Sequence, residues 1–154
     1  MKTLGGFILW TTTTRRSRLL TRRMQATEFG GIFQLAKKMA ECSTYGNFRH
    51  GAVLVRGGAV INLGINSEKY SSIGAKYRPE EKGVSTYHAE IKALLNVPRS
   101  QTKGAVMYVA RASKGKHEDR LSKPCTMCHA LMQERGISQV FYSVDNDNIG
   151  TYKF

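Results

Sequence analysis

From Ala105 to Val144 the chain reads strand, helix, strand, and a connection of that kind can close in essentially one way. Ala105 to Ala110 is almost wholly apolar, the pattern of a strand buried on both faces. A polar stretch from Arg111 to Lys123 is predicted to be a loop. A helix follows from Pro124 to about Arg135, with proline suited to its first turn and Gly136 to its end. Ile137 to Val144 is the second strand. Strands joined through a helix in one sheet lie parallel, with a right-handed crossover.

The upstream half supplies the rest of the sheet and its cover. Residues 26 to 43 carry Phe29, Ile32, Phe33, Leu35, Ala36, Met39 and Ala40 at helical spacing, with Lys37, Lys38 and Glu41 opposite. Gly51 to Val55 and Ala59 to Leu63 form a predicted antiparallel hairpin turning at Gly57-Gly58. Residues 67 to 84, with Gly74, Pro79 and Gly83, are predicted as loop. A second helix runs from about Thr86 to Asn96 and stops before Pro98. The expected class is α/β: a three-layer α-β-α sandwich around a mixed sheet, an antiparallel hairpin followed by parallel strands.

At 154 residues the chain suits one domain, placed at 24–154. Residues 1–23 differ from it. They hold Lys2, Arg15, Arg16, Arg18, Arg22 and Arg23, four consecutive threonines and no acid. This basic extension is expected to be disordered, with a nucleic-acid-binding tail and an organelle transit peptide as the other readings. Setting its charges aside leaves 18 basic against 11 acidic residues, so the domain alone is formally +7. Such an excess favours partners bearing phosphate, whether nucleotide or single-stranded nucleic acid, or serves solubility alone. No apolar run is long enough for a bilayer, so no membrane partner is expected. Three cysteines, an odd number, fit metal or thiol chemistry in a reducing intracellular compartment, the cytoplasm first, better than a disulfide framework.

Two short motifs carry the chemistry: His88-Ala89-Glu90 opening the second helix, and Pro124-Cys125-Thr126-Met127-Cys128 opening the third. Cys125 and Cys128 stand three apart in a first turn, so their sulfurs face one way. The helix N-terminus favours their thiolates. One imidazole, from His88, completes three protein ligands for Zn²⁺ and leaves the fourth position to water, the mark of a catalytic rather than a structural zinc. Zinc brings the pKa of its water towards neutrality. A carboxylate beside the metal can then take that water's proton, deliver it to a ring nitrogen, and later protonate the leaving amine. Glu90, two residues after His88, is the expected acid/base and not a ligand.

His-x-Glu followed by Pro-Cys-x-x-Cys, in this order of elements, resembles the cytidine deaminase superfamily from roughly Phe29 to Val144. The resemblance implies His88, Cys125 and Cys128 as zinc ligands and Glu90 as proton shuttle. Asn66, after the second strand, looks like the asparagine that contacts sugar or base in many members; as a bare residue it is equally a turn former. Ala89, Ser122 and Lys123 complete the expected substrate contacts. The motifs resemble tRNA-adenosine deaminases as well as deoxycytidylate enzymes. However, about a dozen residues separate strand from zinc helix here, and Lys123 replaces the usual acid before the proline. The chain ends ten residues after Val144, so a terminal helix and fifth strand seen in larger relatives are expected to be missing. A homo-oligomer is one candidate replacement.

The expected function is hydrolytic deamination of cytosine in a cytidine or deoxycytidine nucleoside or nucleotide. The alternatives are cytosine deamination in single-stranded DNA or RNA, adenosine deamination of the tRNA type, and a zinc module that binds nucleic acid without catalysis. In the polynucleotide reading, residues 111–123 track phosphates and Tyr70, Tyr77 or Tyr87 stack bases. A structural zinc on Cys42, His88, Cys125 and Cys128 would leave Glu90 without a purpose, and Cys42 is instead expected as a small core residue. His129 is expected off the ligand face, and His50 and His117 are expected to be solvated.

Overall fold

A computed structural model describes residues 24–25, 30–78 and 85–154; the expected basic extension, residues 1–23, lies outside the described residues. The elements run β1 (Met24–Gln25), α1 (Gly30–Cys42), β2 (Arg49–Arg56), β3 (Ala59–Ile65), β4 (Ser67–Tyr70), α2 (Ser72–Lys76), β5 (Thr86–Tyr87) and α3 (Ala89–Leu94). Then come α4 (Arg99–Thr102), β6 (Val106–Ser113), β7 (Lys116–Arg120), α5 (Thr126–Glu134), β8 (Gln139–Ser143) and β9 (Asn148–Lys153). The main sheet has the order β1-β9-β8-β6-β2-β3, with β7 also pairing β6; β4 and β5 form a separate pair.

Period-two alternation puts this sheet between two cores. Ala52 and Leu54 of β2, Met107 and Val109 of β6, and Val140 and Tyr142 of β8 pack with Ile91 and Leu94 of α3 and Leu131 and Met132 of α5. Their alternates Val53, Val55, Ala110 and Phe141 pack with Phe33 and Ala36 of α1. Both faces are covered, which is why these strands read as unbroken apolar runs. The result is the α-β-α sandwich expected from the sequence. β6 and β8 are parallel, in register from Val106↔Gln139 to Val109↔Tyr142, while β2 is antiparallel to β3 and to β6.

Several segments depart from expectation, and the helix expected over 86–96 is regular only over Ala89–Leu94. Arg111–Lys123 is largely a hairpin rather than a loop: β6 continues to Ser113, Gly115 turns the chain at φ +73°, and β7 pairs back through Arg111↔Arg120. Charged residues suit an edge strand, whose outer side meets water. Within 67–84, β4 and α2 are regular, the helix capped by the Ser71 hydroxyl accepting from Gly74 N at 3.0 Å. Residues 79–84 lie outside the described residues. Finally, β9 adds a strand beyond β8, antiparallel from Ser143↔Ile149 to Gln139↔Lys153. Its polar residues hid the buried Ile149 and Gly150.

Gly64 of β3 fixes the height of α3 over the sheet. A Cβ there would run into the carbonyl oxygen of Ala89 and the amide nitrogen of Ala93, so helix and strand touch backbone to backbone. Gly64→Ala is expected to cost about 1–3 kcal/mol of stability by overpacking. It should also cut turnover, because α3 carries Glu90 and small misplacements of reacting groups are expensive. Thermal melts and turnover on one preparation check both effects; normal values for both would mean that α3 is not held by this contact.

Candidate active site

Both helices that carry the motifs begin at the residue the chemistry needs. Tyr87 is tied to Ser67 through the β4–β5 pair, so the helix expected from Thr86 starts only at Ala89 and His88 becomes its N-cap, with extended backbone (φ −79°, ψ 158°). Cys125 is the N-cap of α5 in the same way (φ −71°, ψ 169°), and Cys128 lies one turn inside. The buried face of α3 (Ala89, Ile91, Ala93, Leu94) and that of α5 (Met127, Leu131, Met132) seat the two helix starts together.

The His88 Nδ1 atom lies 3.5 Å from Cys125 Sγ and 3.4 Å from Cys128 Sγ. All three candidate ligand atoms fall within 4.8 Å of one another. A tetrahedral zinc with about 2.3 Å to sulfur and 2.0–2.1 Å to imidazole nitrogen sets sulfur–nitrogen edges of about 3.5 Å. The donor set therefore fits zinc in size as well as in kind. Cys42 is exposed at the end of α1, not in the core, and is not in this group.

The electrostatics follow from packing. The Cys125 thiol is drawn down to about 3 by its hydrogen bond with Cys128 and by His88, against the opposing effect of burial. Cys128 is pushed well up, as the other partner of that bond and by burial. Of the pair, Cys125 is the one held low. Its hydrogen bond raises the pKa of His88. Glu90 is only 4 % exposed, and burial raises its carboxyl above the ordinary range, against the pull of His88.

A cleft of about 300 Å³ opens over these groups and takes in His88, Glu90 and Cys125. Of the expected substrate contacts, Asn66, Ala89, Ser122 and Lys123 all line it, in different states. Asn66 is buried, and its amide clamps the chain entering β2. Oδ1 accepts from Ser43 Oγ (2.6 Å) and His50 N (2.8 Å), and Nδ2 donates to Phe48 O (2.5 Å). An amide has two donor hydrogens, so one remains for a ligand. The Ser122 hydroxyl is spent on the fold, donating to Val109 O (2.8 Å) and accepting from Ser143 N (2.9 Å). Lys123 is exposed at the mouth.

The structure adds Tyr45, Phe48, His50 and Thr86 to the lining. His50 is not solvated. It is half-buried with Nδ1 3.1 Å from Phe48 O, and burial, with the charges of Arg111 and His88, lowers its pKa. The signal was present in the strand alternation: His50 shares a face of β2 with Ala52 and Leu54, the face turned to α3. Tyr70, Tyr77 and Tyr87 do not line the cleft. Tyr70 is exposed, Tyr77 donates to Glu134, and the Tyr87 ring carries Lys92 Nζ at 4.1 Å. His129 packs against Tyr152 and Phe154, away from the ligands, and the side chain of His117 lies outside the described residues.

Residues 29–144 match the family model for the cytidine and deoxycytidylate deaminase zinc-binding region. The chain is 30% identical over 129 residues to a deoxycytidylate deaminase of Mycobacterium phage D29, covering 74% of this chain and 90% of that one. Among solved structures it is similar to the dCMP deaminase of cyanophage S-TIM5. The apo form superposes with a TM-score of 0.54 at 18% identity, over 79% of this chain and 86% of that one. The form in complex with dCMP and dUMP gives 0.53 at 20% identity, over 77% and 82%.

Proposed function

The chain belongs to the cytidine and deoxycytidylate deaminase family of zinc hydrolases, and on that premise we propose that it converts cytosine to uracil in a cytidine or deoxycytidine nucleotide, releasing ammonia. His88, Cys125 and Cys128 hold the zinc, which when bound supplies the Lewis acidity that makes water nucleophilic near neutral pH. The observation that carries the reading is Glu90: a buried carboxyl, two residues from His88, on the floor of a cleft wide enough for a small molecule.

Glu90 has two protons to move, one after the other. Its carboxylate takes a proton from the attacking water and delivers it to the ring nitrogen next to the carbon under attack. The regenerated carboxylate then takes the second proton of that water, from the hydroxyl now on the ring carbon, and passes it to the exocyclic nitrogen as the carbon–nitrogen bond breaks and a carbonyl forms. Burial suits both halves, because a raised carboxyl pKa makes the group a better base and still a usable acid. The remaining Asn66 N–H is offered to the sugar or base, and Lys123, at the mouth, to the nucleotide phosphate.

A nucleotide rather than a nucleoside is favoured by Lys123, by the name of the phage relative and by the ligands of the cyanophage enzyme. The test is direct product analysis with zinc-loaded protein on dCMP, CMP, deoxycytidine and adenosine. Conversion of dCMP is expected, with adenosine untouched. Lys123→Ala should raise KM for dCMP by about 3–10-fold, the weight of one exposed charge-assisted contact, and leave deoxycytidine unaffected. If none of the cytosine compounds is converted, the reading fails.

A further inference from the structure

A second groove of about 560 Å³ lies against the reaction cleft, lined by Asn47, Arg111, Ser113, Lys114, Arg120 and Leu121 among others. Two stretches of chain serve both. Asn47 faces the groove while Phe48 faces the cleft, and Arg120 and Leu121 face the groove while Ser122 and Lys123 face the cleft. Phe48 stands at the divide. Its ring is 53 % exposed, with the Arg111 guanidinium carbon 4.6 Å from the ring centre. This is an aromatic platform beside the reaction cleft, with a cation over one of its faces.

The groove is basic in more than composition. Arg111, Lys114 and Arg120 line it, and no carboxylate does. The acids next to the lining residues are engaged or at the rim: Asp119 pairs with Lys37 of α1 at 2.5 Å, Glu118 holds Arg120 at 3.1 Å in an exposed pair, and Asp145, beside the lining Val144, accepts from Asn148 Nδ2 at 2.8 Å. Exposed pairs of that kind exchange readily for a phosphate oxygen. Arg111 Nε is buried with no hydrogen-bond partner among the described residues. Its guanidinium is a planar fork suited to phosphate.

We propose that this groove receives the phosphodiester of the nucleotide neighbouring the target cytosine, so that the enzyme accepts cytosine within a single-stranded oligonucleotide as well as in a mononucleotide. The inference rests on cytosine binding at Glu90, as proposed above. A neighbouring base stacks on Phe48, and its phosphate lies along Arg111, Lys114 and Arg120. Stacking on an aromatic platform beside a cationic track is how proteins hold single strands without reading sequence. A duplex is excluded because its stacked cytosine cannot reach the floor of the cleft.

The test uses the zinc-loaded full chain and its Lys114→Glu/Arg120→Glu double variant, with dCMP, dCTP and a nine-residue thymidine oligonucleotide holding one central cytosine. Both substituted residues are exposed, so the fold should tolerate the change. The wild type should deaminate the oligonucleotide. In the double variant the ratio of oligonucleotide to dCMP turnover (as kcat/KM) should fall at least about tenfold, because two cations that hold the strand's phosphates become anions. The same change repeated on a Glu90→Gln background allows binding of the fluorescent oligonucleotide to be followed by anisotropy without its consumption. There the slope of log affinity against log salt should fall by about 1.4.

Conversion of dCMP without binding or conversion of the oligonucleotide overturns the groove and leaves the proposed function standing. Oligonucleotide binding that ignores the charge reversal overturns it too. Loss of dCTP turnover alone means that the groove serves a mononucleotide's own phosphates, which also defeats the strand proposal. If no cytosine compound is converted, the proposed function falls; charge-dependent anisotropy then still supports the groove.

Discussion

Replacing Glu90 with glutamine should reduce deamination by about 10²–10⁴-fold while leaving the zinc content of the purified protein unchanged. The substitution is close to isosteric and keeps one carbonyl oxygen, so the buried site at 4 % exposure need not repack. What is lost is the ability to take up a proton and release it again. An amide cannot do so near neutral pH, and both proton transfers fail together. The loss should therefore appear in kcat, with KM for dCMP nearly unchanged, because the proposed binding groups Asn66 and Lys123 are untouched. Zinc analysis distinguishes this from a damaged metal site. Full activity in the variant would remove Glu90 from the chemistry. It would also revive the reading of a zinc module that binds nucleic acid without turnover.

The groups of the candidate site could be found in the sequence because the chemistry proposed for them dictates residue type and spacing together. A thiolate pair three apart at a helix start and a His-x-Glu at another admit few purposes, and the structure gathers His88, Cys125 and Cys128 within 4.8 Å. The covered strands were equally legible, since β2, β6 and β8 are apolar on both faces. What escaped was whatever depends on tertiary neighbours. β7 and β9 are edge-proximal and polar, so 111–123 read as loop and a strand after Val144 is expected to be missing, although backbone pairing to β6 and β8 makes both strands. Phe48, unlike His50 with its place in the β2 alternation, lies at the site through the Asn66 clamp on the segment entering β2, which holds Ser43, Phe48 and His50. No local pattern encodes that clamp. The tyrosines suggested for stacking do not line the cleft, for the same reason: the placement of an aromatic ring is decided by packing, and Phe48 holds the place there.

Cys125→Ser should separate zinc binding from folding, because residue 125 does two unrelated jobs. As N-cap of α5 it has the extended backbone a cap requires, but its side chain makes no capping hydrogen bond. Serine is among the best N-cap residues, so the metal-free variant should be as stable as metal-free wild type or slightly more so. As a ligand, serine lacks the thiolate that Cys125 presents from a pKa of about 3. Zinc affinity should fall by at least about 100-fold, more than the loss of an outer partner that only orients a ligand. With zinc well above saturation for the wild type, a 100-fold weaker site forfeits about 2.7 kcal/mol of zinc-linked stability. For a chain of this size that is about 5–10 °C of melting temperature. Turnover should fall with zinc occupancy and return only in so far as excess zinc refills the site. Cys42→Ser, at an exposed cysteine outside the cluster, should change neither melting temperature nor zinc content. Equal melting of wild type and Cys125→Ser with zinc present would mean that this sulfur holds no metal. A loss of stability by Cys42→Ser as large as that of Cys125→Ser would point instead to a four-ligand structural site.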